Sequence, residues 1–237
     1  MKVRPMVYLL VLSFSGFILF SQFAFAQSPN SLKSDIYSKL KCCSCEDIFE
    51  KCSCKEAKEI KAYIDELLKG KVSREDVFYG LARKFSLKVI LDEKIRNNIE
   101  ERLLNGTEGK YSKIIFNPEA LNFGIKDKKD GKASRRLKVY NRGNGDLIIS
   151  NLRVSCDCVA VSLESGKSKS QFFGVAGASA GWQAVIKPGN FSDLEVVLDL
   201  NHSSMGKGKQ IRNVFVSSND PLYPQADLRV EIEIKND

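Results

Sequence analysis

Cysteine is the residue type that carries chemistry in this sequence, and its spacing is uneven. Five of the seven cysteines, Cys42, Cys43, Cys45, Cys52 and Cys54, fall in the single run KCCSCEDIFEKCSC. The other two, Cys156 and Cys158, flank Asp157 far down the chain. Thiol–disulfide exchange needs a thiolate that can attack and a second sulfur close enough to resolve the mixed disulfide. Cys42 and Cys45, three residues apart, meet that demand within one helical turn or a tight loop, which makes them the candidate catalytic pair. Lys41 favours a thiolate beside it. Cys54 stands at the head of an expected helix, where the amides and the dipole lower a thiol pKa. Cys43, Cys52 and Cys54 are candidate resolving or structural thiols.

Two other readings use the same residues. The run C-C-x-C-x6-C-x-C offers several soft ligands suited to copper or zinc, and in that reading Cys42, Cys43, Cys45, Cys52, Cys54, Cys156 and Cys158 are all candidate metal ligands. In the structural reading, two disulfides pin one helix to the next. Cys156 and Cys158 would lie about 7 Å apart on one face of a regular strand, whereas a disulfide needs Cβ atoms about 4 Å apart. They pair with each other only if 155–159 form a turn or bulge. His202, the one histidine, reads as a surface residue, with a copper contact shared with Met205 as its alternative. No C-x-x-C-H occurs, so no covalent heme is expected, and no cofactor is demanded by any other motif. No Ser-His-Asp set, P-loop or dinucleotide fingerprint is present.

The elements that must position these thiols follow from patterning. Residues 1–26 read as a signal peptide: Lys2 and Arg4, an apolar run Met6–Phe20, then Ala24-Phe25-Ala26. This predicts a periplasmic or secreted protein, in a compartment where disulfides persist. No later segment is apolar enough for a membrane span after signal removal. The formal charge of +8 is interleaved with acids except across Lys126–Lys138, which lacks aromatics and any nucleic-acid motif, so no nucleic-acid partner is expected.

Residues 27–104 read as a cysteine-rich helical domain, a small three- to four-helix bundle. Ser31–Lys41 leads into the cysteines. Ser53-Cys54-Lys55-Glu56 has the form of a capping box ahead of Ala57, Ile60, Ile64, Leu67 and Leu68. Ser73 opens a further helix with Val77, Phe78, Leu81 and Ala82, and Asp92–Leu104 makes another. Residues 105–112 are a turn-rich linker. Seven alternating segments follow: Lys113–Phe116, Asn122–Ile125, Arg136–Tyr140, Leu147–Val154, Leu194–Leu200, Ile211–Ser217 and Leu228–Ile234. They predict that 113–237 forms an antiparallel immunoglobulin-like β-sandwich, with 162–183 as an inserted loop folded back by Phe172, Phe173 and Trp182. The fold class expected is α+β in two domains.

Both halves resemble known families. Leu40-Lys41-Cys42-Cys43-Ser44-Cys45, then a helix, Gly70-Lys71 and a second helix to about Leu91, resembles the N-terminal domain of the CcmH/NrfF family. Cys42 and Cys45 occupy the two cysteine positions of that family's motif. The resemblance implies a thiol–disulfide role in cytochrome c maturation, with apocytochrome c or heme-lyase components as protein partners. Residues 113–236, through Phe123-Gly124, Tyr140-Asn141-Arg142-Gly143, Ser155-Cys156-Asp157-Cys158, Lys187-Pro188-Gly189 and Ser218-Asn219-Asp220, resemble a bacterial domain related to Hydin/ASPM-type immunoglobulin-like modules. That second resemblance implies a fold and almost nothing about activity; in the thiol-exchange reading the sandwich would dock a partner.

Overall fold

A computed structural model of the protein describes residues 29–42, 48–70, 72–166 and 168–235. Among them, four helices precede ten strands: α1 (Pro29–Ser38), α2 (Lys55–Lys69), α3 (Arg74–Lys84) and α4 (Glu93–Asn105). The expected signal peptide lies outside the described residues. No described helix is long and apolar enough to cross a membrane.

Helices α2, α3 and α4 each begin where a side chain takes up an orphan amide. The Asp76 amide donates to Ser73 Oγ at 3.1 Å and the Ile95 amide to Asp92 Oδ1 at 3.1 Å. Behind those caps, the residues at helical spacing turn inward: Ala57, Ile60 and Ile64 on α2, Val77, Phe78, Leu81 and Ala82 on α3, Ile99 and Leu103 on α4. With Ile36, Leu40 and Ile90 they build one core.

That core is not closed by the helices alone. Leu222, from the turn between the last two strands, is buried within it. The Leu87 amide donates to the Leu222 carbonyl at 2.9 Å, and Lys88 pairs with Asp227 at 3.7 Å. A leucine beside Asn-Asp-Pro reads as a turn residue in the sequence; here it is the plug of the helical core.

The strands are β1 (Ile114–Asn117), β2 (Ala120–Lys126), β3 (Lys132–Asn141), β4 (Leu147–Val154), β5 (Val159–Ser165), β6 (Ser168–Lys169), β7 (Ala184–Ile186), β8 (Phe191–Asp199), β9 (Gly208–Ser218) and β10 (Gln225–Ile234). They form two five-stranded sheets, ordered β1-β3-β8-β5-β6 and β2-β10-β9-β4-β7. Alternate residues face the space between them: Leu194, Val196 and Leu198 on β8, Leu228, Val230 and Ile232 on β10. The result is an immunoglobulin-like sandwich, and the fold class is α+β.

Three sequence expectations change in detail. The sandwich is not wholly antiparallel, because β2 pairs with β10 in parallel. Period-2 alternation specifies which face a residue takes and says nothing of strand direction. Residues 162–183 are not one insertion. Val159, Val161 and Leu163 alternate inward and make β5 a central strand bonded to β8. The remainder does fold back: Phe173 is buried, bridges Val161 and meets Trp182 edge-on at 4.9 Å, but Phe172 is left exposed.

The Tyr140–Gly143 segment ties the linker to the sandwich. Asn141 is fully buried and its amide is satisfied on both sides. It accepts from the amides of Lys113 and Gly143 and donates to the carbonyls of Gly145 and Ile186. Gly143 lies so close to the linker that a Cβ there would stand 2.3 Å from the Tyr111 carbonyl oxygen. Only glycine allows that approach.

Candidate thiolate site

Three separate segments deliver cysteines to one place in the helical core. Residues 39–41 run alongside the 3₁₀ turn 87–89 and the residues after it: Lys41 N donates to Val89 O at 2.9 Å and Leu91 N to Lys39 O at 2.8 Å. This strap holds Cys42 against the core, where it is buried. A tight turn at 48–51 presents Cys52, whose amide donates to the Ile48 and Phe49 carbonyls. Phe49, fully buried and edge-on to Tyr37 at 5.4 Å, anchors that turn. Lys61 crosses from α2 to donate to the carbonyls of Glu50 and Cys52 at 2.7 and 2.8 Å, so an ammonium closes the turn beside the thiols.

Cys54 completes the group as the N-cap of α2. Its Sγ accepts from the Ala57 amide at 3.4 Å, the bond that a serine or aspartate hydroxyl or carboxyl oxygen ordinarily takes. The expected Ser53–Glu56 capping box is therefore displaced by one residue: the helix starts at Lys55 and sulfur does the capping. Cys42 Sγ and Cys54 Sγ are 3.2 Å apart, Cys52 Sγ and Cys54 Sγ 3.4 Å, and all three sulfurs lie within 4.8 Å of one another.

The electrostatics run against the sequence expectation for Cys54. Burial pushes its thiol up to about 12, more than the Ala57 amide pulls it down, and the neighbouring Cys42 and Cys52 sulfurs add to the rise. Half-buried Cys54 packs against the head core, and this desolvation outweighs the pull of the helix N-terminus.

The sequence-predicted residues are thus divided. Cys42, Cys52 and Cys54 come together. Cys43 and Cys45 lie outside the described residues. Cys156 and Cys158 are joined to each other by a disulfide, with Cα atoms 5.2 Å apart. They do so because β4 ends at Val154 and β5 begins at Val159, leaving 155–158 as the turn that pairing requires. Their sulfurs are spent on each other, which removes them from the candidate ligand set. The shared copper contact of His202 and Met205 is also corrected. Met205 is wholly buried in the sandwich core, and the His202 ring turns instead to Ser204, its Nδ1 2.8 Å from Oγ.

No family model matches the chain, and no curated protein matches it. Among solved structures, the chain is similar to a protein of unknown function from Porphyromonas gingivalis W83, at 16% identity and a TM-score of 0.40, covering 53% of this chain and 48% of that one. It is also similar to an ASH/PapD-like domain of human CEP192 (8% identity, 54% and 88% covered, TM-score 0.32). The E. coli chaperone DraB matches at 9% identity, with 52% and 56% covered and a TM-score of 0.33. The chain thus spans about half the length of the first of these.

The CcmH/NrfF resemblance and the cytochrome-maturation role it implied are corrected by these findings. No family model of that or any other kind matches the chain. The site gives the physical reason. A nucleophile for client cysteines must be reachable, and Cys42 is 7% exposed with its sulfur turned onto Cys54. Heme and heme-lyase partners fall with the same correction.

Proposed function

We propose that Cys42, Cys52 and Cys54 form a thiolate site for one soft cation, copper(I) or zinc, which braces the helical head of an exported protein from within. The observation that carries this reading is the convergence of three sulfurs, from three segments, inside a hydrophobic core. A cation bonded to sulfur at about 2.3 Å draws its ligands to about 3.8–4.0 Å from one another in trigonal or tetrahedral geometry. Two of the observed spacings, 3.2 and 3.4 Å, are shorter than that value and none exceeds 4.8 Å, so small rotations about χ1 suffice. Three sulfurs this close, two of them buried, would repel one another as thiolates; a cation displaces their protons and cancels most of the charge. Copper(I) accepts three sulfurs. Zinc takes four, and Cys43 and Cys45, one and three residues beyond Cys42, are close enough along the chain to supply the fourth.

A small helical unit gains most from such a brace, because its own core is near the lower limit of what folds unaided. The signal-like residues 1–26 support an exported location for it.

Native mass spectrometry of the full chain, prepared without oxygen and offered copper(I) or zinc in separate samples, tests the proposal. One cation per chain is expected. C42S and C54S are expected to lose it, while C156S/C158S retains it. A metal-free mass in both samples, or retention in C42S and C54S, overturns the reading. Retention by C43S and C45S in the copper sample, with loss of zinc in one of them, separates the two metals.

A further inference from the structure

The second pair of cysteines lies in a different setting. A cleft of about 590 Å³ opens between the start of α2 and the sandwich, lined by Lys55 and Glu56 on one side and by Cys156, His202, Ser204 and Arg212 on the other. Cys156 is half-buried and faces this opening, whereas Cys158 is 1% exposed. One sulfur of the disulfide is therefore reachable and the other is not.

The polar groups around the two sulfurs differ in the way exchange chemistry needs. Arg212 Nε donates to Cys158 Sγ at 3.2 Å. Its guanidinium is held there by its other nitrogens, which donate to the Ser204 and Ile211 carbonyls at 2.8 and 2.7 Å. Cys156 Sγ stands 2.9 Å from Ser204 Oγ, which in turn is 2.8 Å from His202 Nδ1. The buried sulfur thus has a fixed positive charge beside it, and the exposed sulfur has a hydroxyl–imidazole pair through which a proton can pass. As a brace the disulfide contributes little, since it joins residues two apart and the stabilisation from a cross-link falls as the closed loop shortens.

We propose that Cys156–Cys158 is a thiol–disulfide exchange site that accepts electrons from a protein dithiol entering this cleft. A client thiolate attacks Cys156 Sγ, the accessible sulfur. A client–Cys156 bond forms, the Cys156–Cys158 bond breaks, and Cys158 leaves with the electron pair as a thiolate paired with Arg212. The second client thiolate then attacks the client sulfur of the mixed disulfide. The client closes its own disulfide, and Cys156 departs as a thiolate that takes a proton by way of Ser204 and His202. Two electrons pass from the client to the pair; of the client's two protons, one ends on Cys156 and the other in solvent. The site is independent of the thiolate cluster of the head and uses none of its sulfurs.

The test is a single-turnover reaction of the full-length oxidised protein with a reduced synthetic peptide bearing two cysteines, under anaerobic conditions, quenched with an alkylating agent and mapped by mass. One peptide disulfide per protein is expected, with the alkyl label on Cys156 and Cys158. R212Q is expected to slow the reaction about tenfold through a poorer leaving thiolate, and R212K to recover part of the rate. C156S/C158S should leave the peptide reduced. A peptide that stays reduced over an intact Cys156–Cys158 bond overturns the proposal, as does oxidation by C156S/C158S at the wild-type rate. Should that double variant not fold, the label map on wild type decides: label absent from Cys156 and Cys158 while peptide is oxidised is equally fatal. An unchanged rate in R212Q refutes the role of Arg212.

Discussion

Replacing Leu222 by alanine is expected to loosen the helical head while leaving the sandwich intact. Leu222 belongs to the sandwich by chain position, yet its side chain is 4% exposed and sits in the core of the head. Its backbone bonds, from the Leu222 amide to Asp220 Oδ1 at 2.8 Å and from the Leu87 amide to its carbonyl at 2.9 Å, do not depend on the side chain and persist in the variant. The loss is therefore that of apolar burial plus the cavity left behind, about 3 kcal/mol for a buried leucine truncated to alanine. Converted to an opening equilibrium, this is about a hundredfold. Native-state hydrogen exchange reads it residue by residue. Amides of α2 and α3 are expected to exchange about a hundredfold faster in L222A, those in the middle of β8 and β9 at their former rate. Unchanged exchange in α2 and α3 would refute the claim that Leu222 completes the head core. An equal rise in β8 and β9 would refute the separation of the two cores.

Three further outcomes follow from particular contacts. Gly143→Ala puts a Cβ 2.3 Å from the Tyr111 carbonyl and 2.7 Å from the Lys113 amide nitrogen, so backbone must shift; a loss of about 1–3 kcal/mol in chemical denaturation is expected, and none would show the linker to be free to move. Asp220 accepts from the amides of Ile114, Leu222 and Tyr223, but burial outweighs them and Lys113 and holds its carboxyl above the usual carboxylate range. The fold therefore keeps this proton to higher pH than the unfolded chain does. The stability it contributes is full below the unfolded pKa of about 4 and is lost as pH rises through the folded value. The stability of wild type relative to Asp220→Asn should fall as pH is raised; a rise would mean that the three amides prevail over burial. Ser192 Oγ is buried without a hydrogen-bond partner among the described residues, so Ser192→Ala should be neutral or stabilising by up to about 1 kcal/mol in thermal unfolding.

Much of the scaffold was legible in the sequence, because local rules decided it. Ser73 and Asp92 cap the helices that their positions announced, and the alternation of β4, β8 and β10 marks the sandwich. What escaped was non-local or chemically unusual. Cys54 as a helix cap was missed because sulfur is rarely counted among capping atoms, and this moved the expected helix start by one residue. The strand β5 was hidden behind Cys156-Asp157-Cys158 and a Gly- and Lys-containing stretch, although Val159, Val161 and Leu163 at period two announce it. No sequence pattern could reveal the parallel pairing of β2 with β10 or the plug role of Leu222, since both depend on residues about a hundred or more positions away.

At the site, the concentration of thiols was evident and their partition was not. Spacing alone ranked Cys42 with Cys45. Among the described residues the structure brings Cys42 together with Cys52 and Cys54, through the strap at 39–41 and the Phe49 turn. Desolvation then reverses the expected activation of Cys54.

The measurement that bears most directly on the thiolate site is X-ray absorption at the edge of the bound metal, on the full-length protein loaded with one equivalent of copper(I) or zinc. The account predicts a first shell of at least three sulfurs at about 2.3 Å, reduced by one sulfur in C54S. A shell of nitrogen and oxygen ligands, or a sulfur count unchanged in C54S, would contradict it.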